Sequence, residues 1–499
     1  MELFEHLALG FSVALQGQNL LYCFIGVLLG TLIGVLPGLG PMATISMLLP
    51  VTFGLPPASA LIMLAGIFYG SQYGGSTTAI LLNLPGESSS VVTALDGHQM
   101  ARQGRAGSAL ATAALGSFFA GTVGTILIVL LAPPLASIAL KFGAAEYFSL
   151  MLLGLVVAVV LASGSLLMAL AMVVLGILLG LAGQDMNTGA FRLTFGFREL
   201  ANGFDFLALS MGIFGLGEII RNLESTGPRV LTTSKVGSLM PTREDFKRMA
   251  WPVLRGTGLG SLLGILPGGG AVLASFVSYT VEKKVSSTPE NFGKGMIEGV
   301  AGPESANNAG AQTSFIPMLT LGIPSNPVMA LMIAALILQG IQPGPNVMTA
   351  RPDLFWGVIA SMWIGNVLLV ILNLPLIGIW VKILTIPYDY IMPAIGVICC
   401  IGVYSISNSP TDVLMMGVFG LAGYVLLKLD CEPAPLLLGF IIGPLLEENL
   451  RRAMLIARGD WTTFVTRPIS AVLLLICALA LMAVMMPHLR NKREEAFQE

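Results

Sequence analysis

Apolar stretches of some 20 residues recur along the whole length of this 499-residue chain. That length is about what an α-helix needs to cross a hydrocarbon core of about 30 Å. The runs are continuous rather than alternating, which indicates helices and not a barrel. Only 10% of the residues are charged and 55% are hydrophobic, where a soluble domain carries about 25% charged residues. The expected fold class is therefore an all-α polytopic membrane protein with lipid as its surroundings. A formal net charge of −2 points to no nucleic-acid partner. Cys23, Cys399, Cys400, Cys431 and Cys477 lie in or beside apolar runs without ligand spacing and read as small core residues. His6, His98 and His488 are too scattered for a multi-histidine metal centre. Glu2 and Glu5, with no basic n-region, argue against a cleavable signal.

About 12 transmembrane helices are expected. The spans are read at 18–36, 56–73, 107–131, 145–163, 164–183 and 203–221, then at 250–266, 325–341, 355–374, 388–407, 411–428 and 467–488. Four pieces, 39–54, 74–85, 268–281 and 305–324, are too short or too rich in Gly, Pro, Ser, Thr or Asn to cross as one straight helix. They are expected to be re-entrant or unwound segments lining a polar cavity.

Fifteen residues are written twice, 230 positions apart. Gly26–Gly40 reads GVLLGTLIGVLPGLG and Gly256–Gly270 reads GTGLGSLLGILPGGG, with nine positions identical. Glycines four apart share one helix face, where another backbone can approach closely in lipid. The Pro-Gly pair then ends the helix. Two such broken helices mark a duplicated transporter. A weaker correspondence, Leu84-Pro85 with Ile323-Pro324, keeps the order at an offset of 239.

The chain has no Lys or Arg before Arg102, whereas Arg221–Arg255 holds Arg221, Arg229, Lys235, Arg243, Lys247, Arg248 and Arg255. The tail adds Arg490, Lys492 and Arg493. The positive-inside rule makes the central linker and the C-terminus cytoplasmic, so the two copies would be inverted. The domains expected are a first membrane repeat over 1–221, a basic linker over 222–249, a second repeat over 250–450 and a final span with its tail over 451–499.

Four patches combine broken backbone with small polar side chains. Two are the turns holding Pro37, Gly38 and Gly40, and Pro267, Gly268 and Gly270. They are either hinges or anion-binding concavities of backbone N–H groups beside a helix N-terminus. Another runs from Tyr73 to Ser88 with Ser76, Thr77, Thr78, Asn83 and Gly86. These groups either ligate Na⁺ or a carboxylate, or bond back to their own helix. The last runs from Gly302 to Pro327 and holds Glu304, Ser305, Asn307, Asn308, Thr313, Pro324 and Ser325. Adjacent asparagines entering an apolar helix are expensive without a partner or ligand. Glu304 is open between helix capping and proton or cation coupling. Asp96 and His98, with Arg102 and Arg105, read as a solvated connection, and Glu218 with Arg221 as a pair at a span end. No phosphate loop, HExxH or serine triad is present, so the chain is not expected to be an enzyme.

At these patches the chain resembles the large membrane subunit (TctA-type) of the tripartite tricarboxylate transporter family. The residues that carry the resemblance are GTLIGVLPGLGP (Gly30–Pro41), YGGSTTAILLNLPGE (Tyr73–Glu87), DGHQMARQGRAGSAL (Asp96–Leu110) and GPESANNAGAQTSFIPMLTLGIPSNP (Gly302–Pro327). The resemblance implies a bacterial inner-membrane secondary transporter without cofactors. It implies two partners, a small four-helix membrane subunit (TctB-type) and a periplasmic solute-binding protein (TctC-type). The substrates implied are citrate or other di- and tricarboxylates, taken up with Na⁺ or H⁺. An elevator-like motion is expected by analogy, with a possible Na⁺ site among Ser76, Thr77, Asn83, Asn307 and Asn308. A channel-like pore or a membrane-embedded enzyme is the alternative.

Overall fold

The computed structural model describes residues 2–36, 40–84, 86–162, 165–185, 188–224, 239–266, 270–383 and 388–485. In the first half the helices are α1 (Glu2–Ala14), α2 (Gly17–Gly34), α3 (Pro41–Thr52), α4 (Pro57–Leu82), α5 (Val91–Met100), α6 (Ala106–Ala139), α7 (Ala144–Leu161) and α8 (Leu166–Gly180). A short hairpin of β1 (Gly183–Gln184) and β2 (Phe191–Arg192) precedes α9 (Phe206–Ser210) and α10 (Gly217–Glu224). The second half continues with α11 (Arg243–Ile265), α12 (Gly270–Val285), α13 (Glu298–Thr313), α14 (Phe315–Leu321), α15 (Pro327–Leu338), α16 (Val347–Ala350), α17 (Pro352–Asn373) and α18 (Ile377–Ile383). It ends with α19 (Tyr388–Ser407), α20 (Pro410–Lys428), α21 (Ala434–Ile456), α22 (Thr463–Thr466) and α23 (Pro468–Met485).

Two polar helices form the centre. Every residue of α4 from Ser59 to Leu81 is buried, as is every residue of α13 from Gly299 to Thr313. Each is held by one of the glycine-faced helices. Gly26, Gly30 and Gly34 of α2 lie on the backbone carbonyls of Met63, Ile67 and Ser71 in α4, so close that a Cβ at any of the three would collide. Gly256, Gly260 and Gly264 of α11 lie in the same way on the carbonyls of Gly302, Ala306 and Gly310 in α13. Gly66, Gly70 and Gly74 return the contact by facing the α2 backbone. The three partners in α13 each stand 239 positions after those in α4. That register also relates Asn83 to Gly322, the left-handed residues (φ 55° and 71°) that close α4 and α14.

Around this centre, α17 packs on α4, α6 and α2, and α6 packs on α13. Near the start of the chain, α1 lies along α17, with His6 stacked on Trp356 at 5.1 Å. On another side α8 meets α21 through Gly176 and Gly439, each seated on the other helix's backbone. Among the described residues four helical stretches are long and apolar enough to cross a membrane: Gly17–Gly34, Ser88–Ala139, Pro352–Asn373 and Pro410–Lys428. Four of the cysteines are buried and Cys400 is half-buried; all are free.

Several expectations change. The segment 74–85 is not a separate re-entrant piece, because its polar run continues α4 to Leu82 without a break. Gly74 and Gly75 are helical here because α2 and the Glu87 side chain occupy the space a Cβ would fill. The segments 39–54 and 268–281 are largely the helices α3 and α12, and 305–324 divides into α13 and α14. α21 was not among the expected spans, since Glu447, Glu448, Arg451 and Arg452 interrupt its apolar run; on it, Arg451 and Glu447 pair at 2.6 Å. Glu218 and Arg221 approach to 3.9 Å, as their spacing suggested.

Asp96 is not in a solvated connection. It lies on α5 and is 0% exposed. Its Oδ1 accepts from the backbone N–H groups of Gly293, Gly295 and Met296 at 2.8–2.9 Å, and its Oδ2 accepts from the Tyr279 hydroxyl at 3.0 Å. Nearby, Arg105 pairs with Asp245 at 2.6 Å, and Asp245 also closes the capping box of α11 with Thr242. These polar ties join the first half of the chain to the second.

Two outcomes follow for stability. Gly260→Val is expected to destabilise the purified protein by about 1–3 kcal/mol or more through overpacking. Gly258→Val, where nothing lies within 4 Å of the added carbon, should change thermal unfolding by no more than about 0.5 kcal/mol beyond propensity effects. Equal effects from the two variants would disprove the helix contact. Asp96→Ala removes the one acceptor shared by three backbone N–H groups, each bond to a charged group contributing about 1.5–3 kcal/mol at most, so its unfolding midpoint in detergent should fall below that of wild type.

Candidate functional site

The buried centre is where the polar patches meet. α4 presents Gln72, Tyr73, Ser76 and Thr77, and α13 presents Glu304, Ser305, Asn307 and Asn308. After Leu82 the chain turns back across α4. Gly86 donates its N–H to the Gly75 carbonyl at 3.4 Å, and any side chain on Gly86 would strike the backbone of Gly34 and Gly75. The turn thereby delivers Glu87, 7% exposed, against Gly75.

Two carboxylates anchor the cluster. Glu304, 0% exposed, accepts from Ser76 Oγ at 2.7 Å through Oε2 and from Thr93 Oγ1 through Oε1. Glu87 Oε1 accepts from Ser89 Oγ at 2.6 Å and from Asn307 Nδ2 at 3.1 Å. Because Asn307 follows Glu304 by three residues on α13, one helix turn reaches both carboxylates. Neither Glu87 nor Glu304 has a Lys, Arg or His partner among the described residues. A buried carboxylate surrounded by neutral donors is costly unless it is protonated or meets a cation. The same arrangement leaves Asn307 Oδ1 buried without a hydrogen-bond partner among the described residues.

The remaining expected residues spread outward from this centre. Thr77 bonds back to Tyr73 O at 3.3 Å, and Thr78 donates to Val35 O at 2.8 Å, tying α4 to the end of α2. Ser305 and Thr313 bond back to their own helix at 2.8 and 2.9 Å. Asn308 donates to Ser117 Oγ of α6 at 2.6 Å and to the Glu304 carbonyl at 3.1 Å. Asn83 is exposed in its left-handed cap, away from these bonds. Pro324 is buried, and Ser325 donates to Ser314 O at 3.2 Å. Gly40 precedes α3 and accepts from Thr44 N at 3.0 Å, while Gly270 opens α12 at φ 52° and approaches Asn326. Pro37, Gly38, Pro267 and Gly268 lie outside the described residues.

Sequence reading placed Glu87 inside the Tyr73–Ser88 patch without naming it as a ligand, and left Ser89, Thr93, Ser117 and Asn373 out. Glu87 carried a usable signal, a charge just past a Pro-Gly break inside apolar sequence. Asn366 and Asn373 of α17 carried a fainter one. They lie seven apart, hence on one helix face, in an otherwise apolar span. Asn366 accepts from the Tyr73 hydroxyl at 2.9 Å. Among the described residues no group of three His, Cys, Asp or Glu side chains is placed to hold a metal ion.

A family model described as the tripartite tricarboxylate transporter TctA family matches residues 20–438. The chain is 62% identical over 499 residues, 100% of its own length and 99% of the other's, to an uncharacterized 52.8 kDa protein in the TAR-I ttuC' 3'region of Agrobacterium vitis. It is 65% identical over 240 residues, 48% of this chain and 99% of the other, to an uncharacterized protein in the TAR-II ttuC' 3'region of the same organism. No solved structure matches. With its membrane-length apolar helices, this multi-pass membrane protein belongs to the tripartite tricarboxylate transporter TctA family.

Proposed function

We propose that the chain is the permease subunit of a binding-protein-dependent tripartite system. It imports carboxylates, citrate or other di- and tricarboxylates, by secondary active transport with Na⁺ or H⁺. Its partners are a small TctB-type membrane subunit and a periplasmic TctC-type binding protein, and it works in a bacterial inner membrane with its C-terminus in the cytoplasm. The observation that carries this reading is the fully buried Glu304–Ser76–Glu87–Asn307 cluster between α4 and α13, in a member of a transporter family. Such groups persist inside an apolar bundle where they serve a pathway.

Two halves built alike, each a glycine-faced helix clasping a polar one, support an inverted-repeat carrier that alternates access by moving one part against the other. The N-terminus of α12 abuts Gly310 of α13. Exposed N–H groups at such an end favour an anionic substrate group. The scarcity of fixed positive charge beside the cluster leaves a co-transported cation to offset the substrate's charge.

Co-reconstituted with its two partners in proteoliposomes, the wild type should accumulate a labelled di- or tricarboxylate above the outside concentration when a Na⁺ or proton gradient is imposed. Equilibration without accumulation would favour the channel-like pore and sink this proposal. Asn307→Ala should lower accumulation at least tenfold with normal membrane expression, since it removes the amide that bridges toward Glu87. Wild-type rates in that variant would remove Asn307 from the site.

A further inference from the structure

A small cavity of ≈ 10 Å³ opens beside the Glu304 carboxylate, between α4, α6, α13 and α17. Its polar lining is Tyr73, Ser76, Thr77, Ser117, Glu304 and Asn373, and its apolar lining comes from Leu110, Ala113 and Ala114. The volume is close to the least that admits one water-sized guest. Asn373, 3% exposed, spends an amide N–H on Leu369 O at 3.0 Å and leaves Oδ1 without a partner among the described residues. Leaving a buried amide oxygen unpaired is unfavourable, so its retention in the wall of a cavity that Glu304 also lines points to a guest that takes oxygen ligands.

Charge and size narrow the guest. Among the described residues Glu304 is the single carboxylate on the cavity wall, and no Lys or Arg lines it. A monovalent cation bound there makes a neutral pair. A divalent ion would leave a net buried positive charge, which the interior penalises. Mg²⁺ in addition holds several waters that this volume does not admit. Ser76 and Thr77 lie one after the other on α4; the one Ser76 hydroxyl proton is within reach of Glu304 Oε2 at 2.7 Å and of the Gln72 carbonyl at 3.1 Å, and Thr77 donates to the Tyr73 carbonyl at 3.3 Å. Their oxygen lone pairs remain available on the lining.

We propose that this cavity binds one dehydrated monovalent cation of Na⁺ size, held by the Glu304 carboxylate, the Ser76, Thr77 and Ser117 hydroxyl oxygens and Asn373 Oδ1. It deepens the transport reading by naming the coupling ion and its ligands, and it rests on that reading for its purpose but not for its geometry. The site differs from the one expected from sequence. It leaves out Asn83, Asn307 and Asn308 and enlists Glu304, Ser117 of α6 and Asn373 of α17.

The test uses the purified full chain in lipid nanodiscs, with no carboxylate substrate present. Thermal unfolding is followed while NaCl replaces N-methylglucamine chloride or KCl at constant ionic strength. A ligand that binds only the folded state raises the midpoint with its concentration. Wild type should show this rise with Na⁺, and K⁺ should need at least tenfold more to match it. Asn373→Ala should shift the Na⁺ titration at least tenfold to higher concentration, and Glu304→Gln should abolish it. A wild type indifferent to Na⁺, an Asn373→Ala protein that titrates like wild type, or a folded Glu304→Gln protein still stabilised by Na⁺ would each overturn the site. Should Glu304→Gln fail to fold, Asn373→Ala decides alone. Carboxylate accumulation driven only by a proton gradient, with no Na⁺ stabilisation, sinks the cation site and leaves the transport reading standing. Na⁺ stabilisation without any accumulation does the reverse.

Discussion

The close approach of two backbones, twice over, is the constraint from which the rest of this structure follows. Where Gly26, Gly30 and Gly34 meet the carbonyls of α4, and Gly256, Gly260 and Gly264 meet those of α13, no side chain separates the helices. In lipid there is little hydrophobic gain in bringing helices together, so close van der Waals packing must supply much of the attraction. That contact uses up one face of each central helix. The other faces of α4 and α13 then turn toward one another and toward α5, α6 and α17, and the polar side chains have to satisfy each other there.

The chemistry of the centre is correspondingly lopsided. Donors are plentiful: Ser76, Ser89, Thr93 and the Asn307 amide all point at Glu87 or Glu304. Among the described residues Asn307 Oδ1 and Asn373 Oδ1 are left over, and Glu87 and Glu304 have no ion pair with a basic side chain. The periphery is the opposite case. Glu146 meets Arg467 at 2.6 Å and Glu282 meets Arg255 at 2.8 Å, while Asp96 is met by three backbone N–H groups and the Tyr279 hydroxyl.

Much of this was legible in the sequence, though unevenly. The glycine spacing, its repeat and the apolar runs identified the helix class and the two gripping helices. The 239-position register, faint as a dipeptide match, recurs in the partners of the glycines. The polar run after Tyr73 misled, because Gly, Ser and Thr have poor helix propensity while tertiary contacts hold them helical. Asp96 misled for a related reason: nothing local reveals that a turn almost 200 residues later supplies its three donors. The site was half legible. Ser76, Asn307 and Asn308 stood out as polar groups in apolar sequence, whereas Ser117 meets Asn308 from 191 positions away and Asn373 lines the neighbouring cavity from α17. The Pro37-Gly38 and Pro267-Gly268 turns lie outside the described residues.

The composition of α13 bears on how the protein is made. Its 16 residues include Glu304, Ser305, Asn307, Asn308 and Gln312. A single ionised residue at the middle of an inserting helix costs about 2.5–3.5 kcal/mol, so this segment does not enter lipid by itself. It needs a host that already offers a backbone face, and α11, made earlier, is that host. In the first half α2 likewise precedes α4. In both halves the glycine-faced helix leaves the ribosome before the polar one it will clasp, so synthesis order itself lets each central helix enter the membrane alongside its partner.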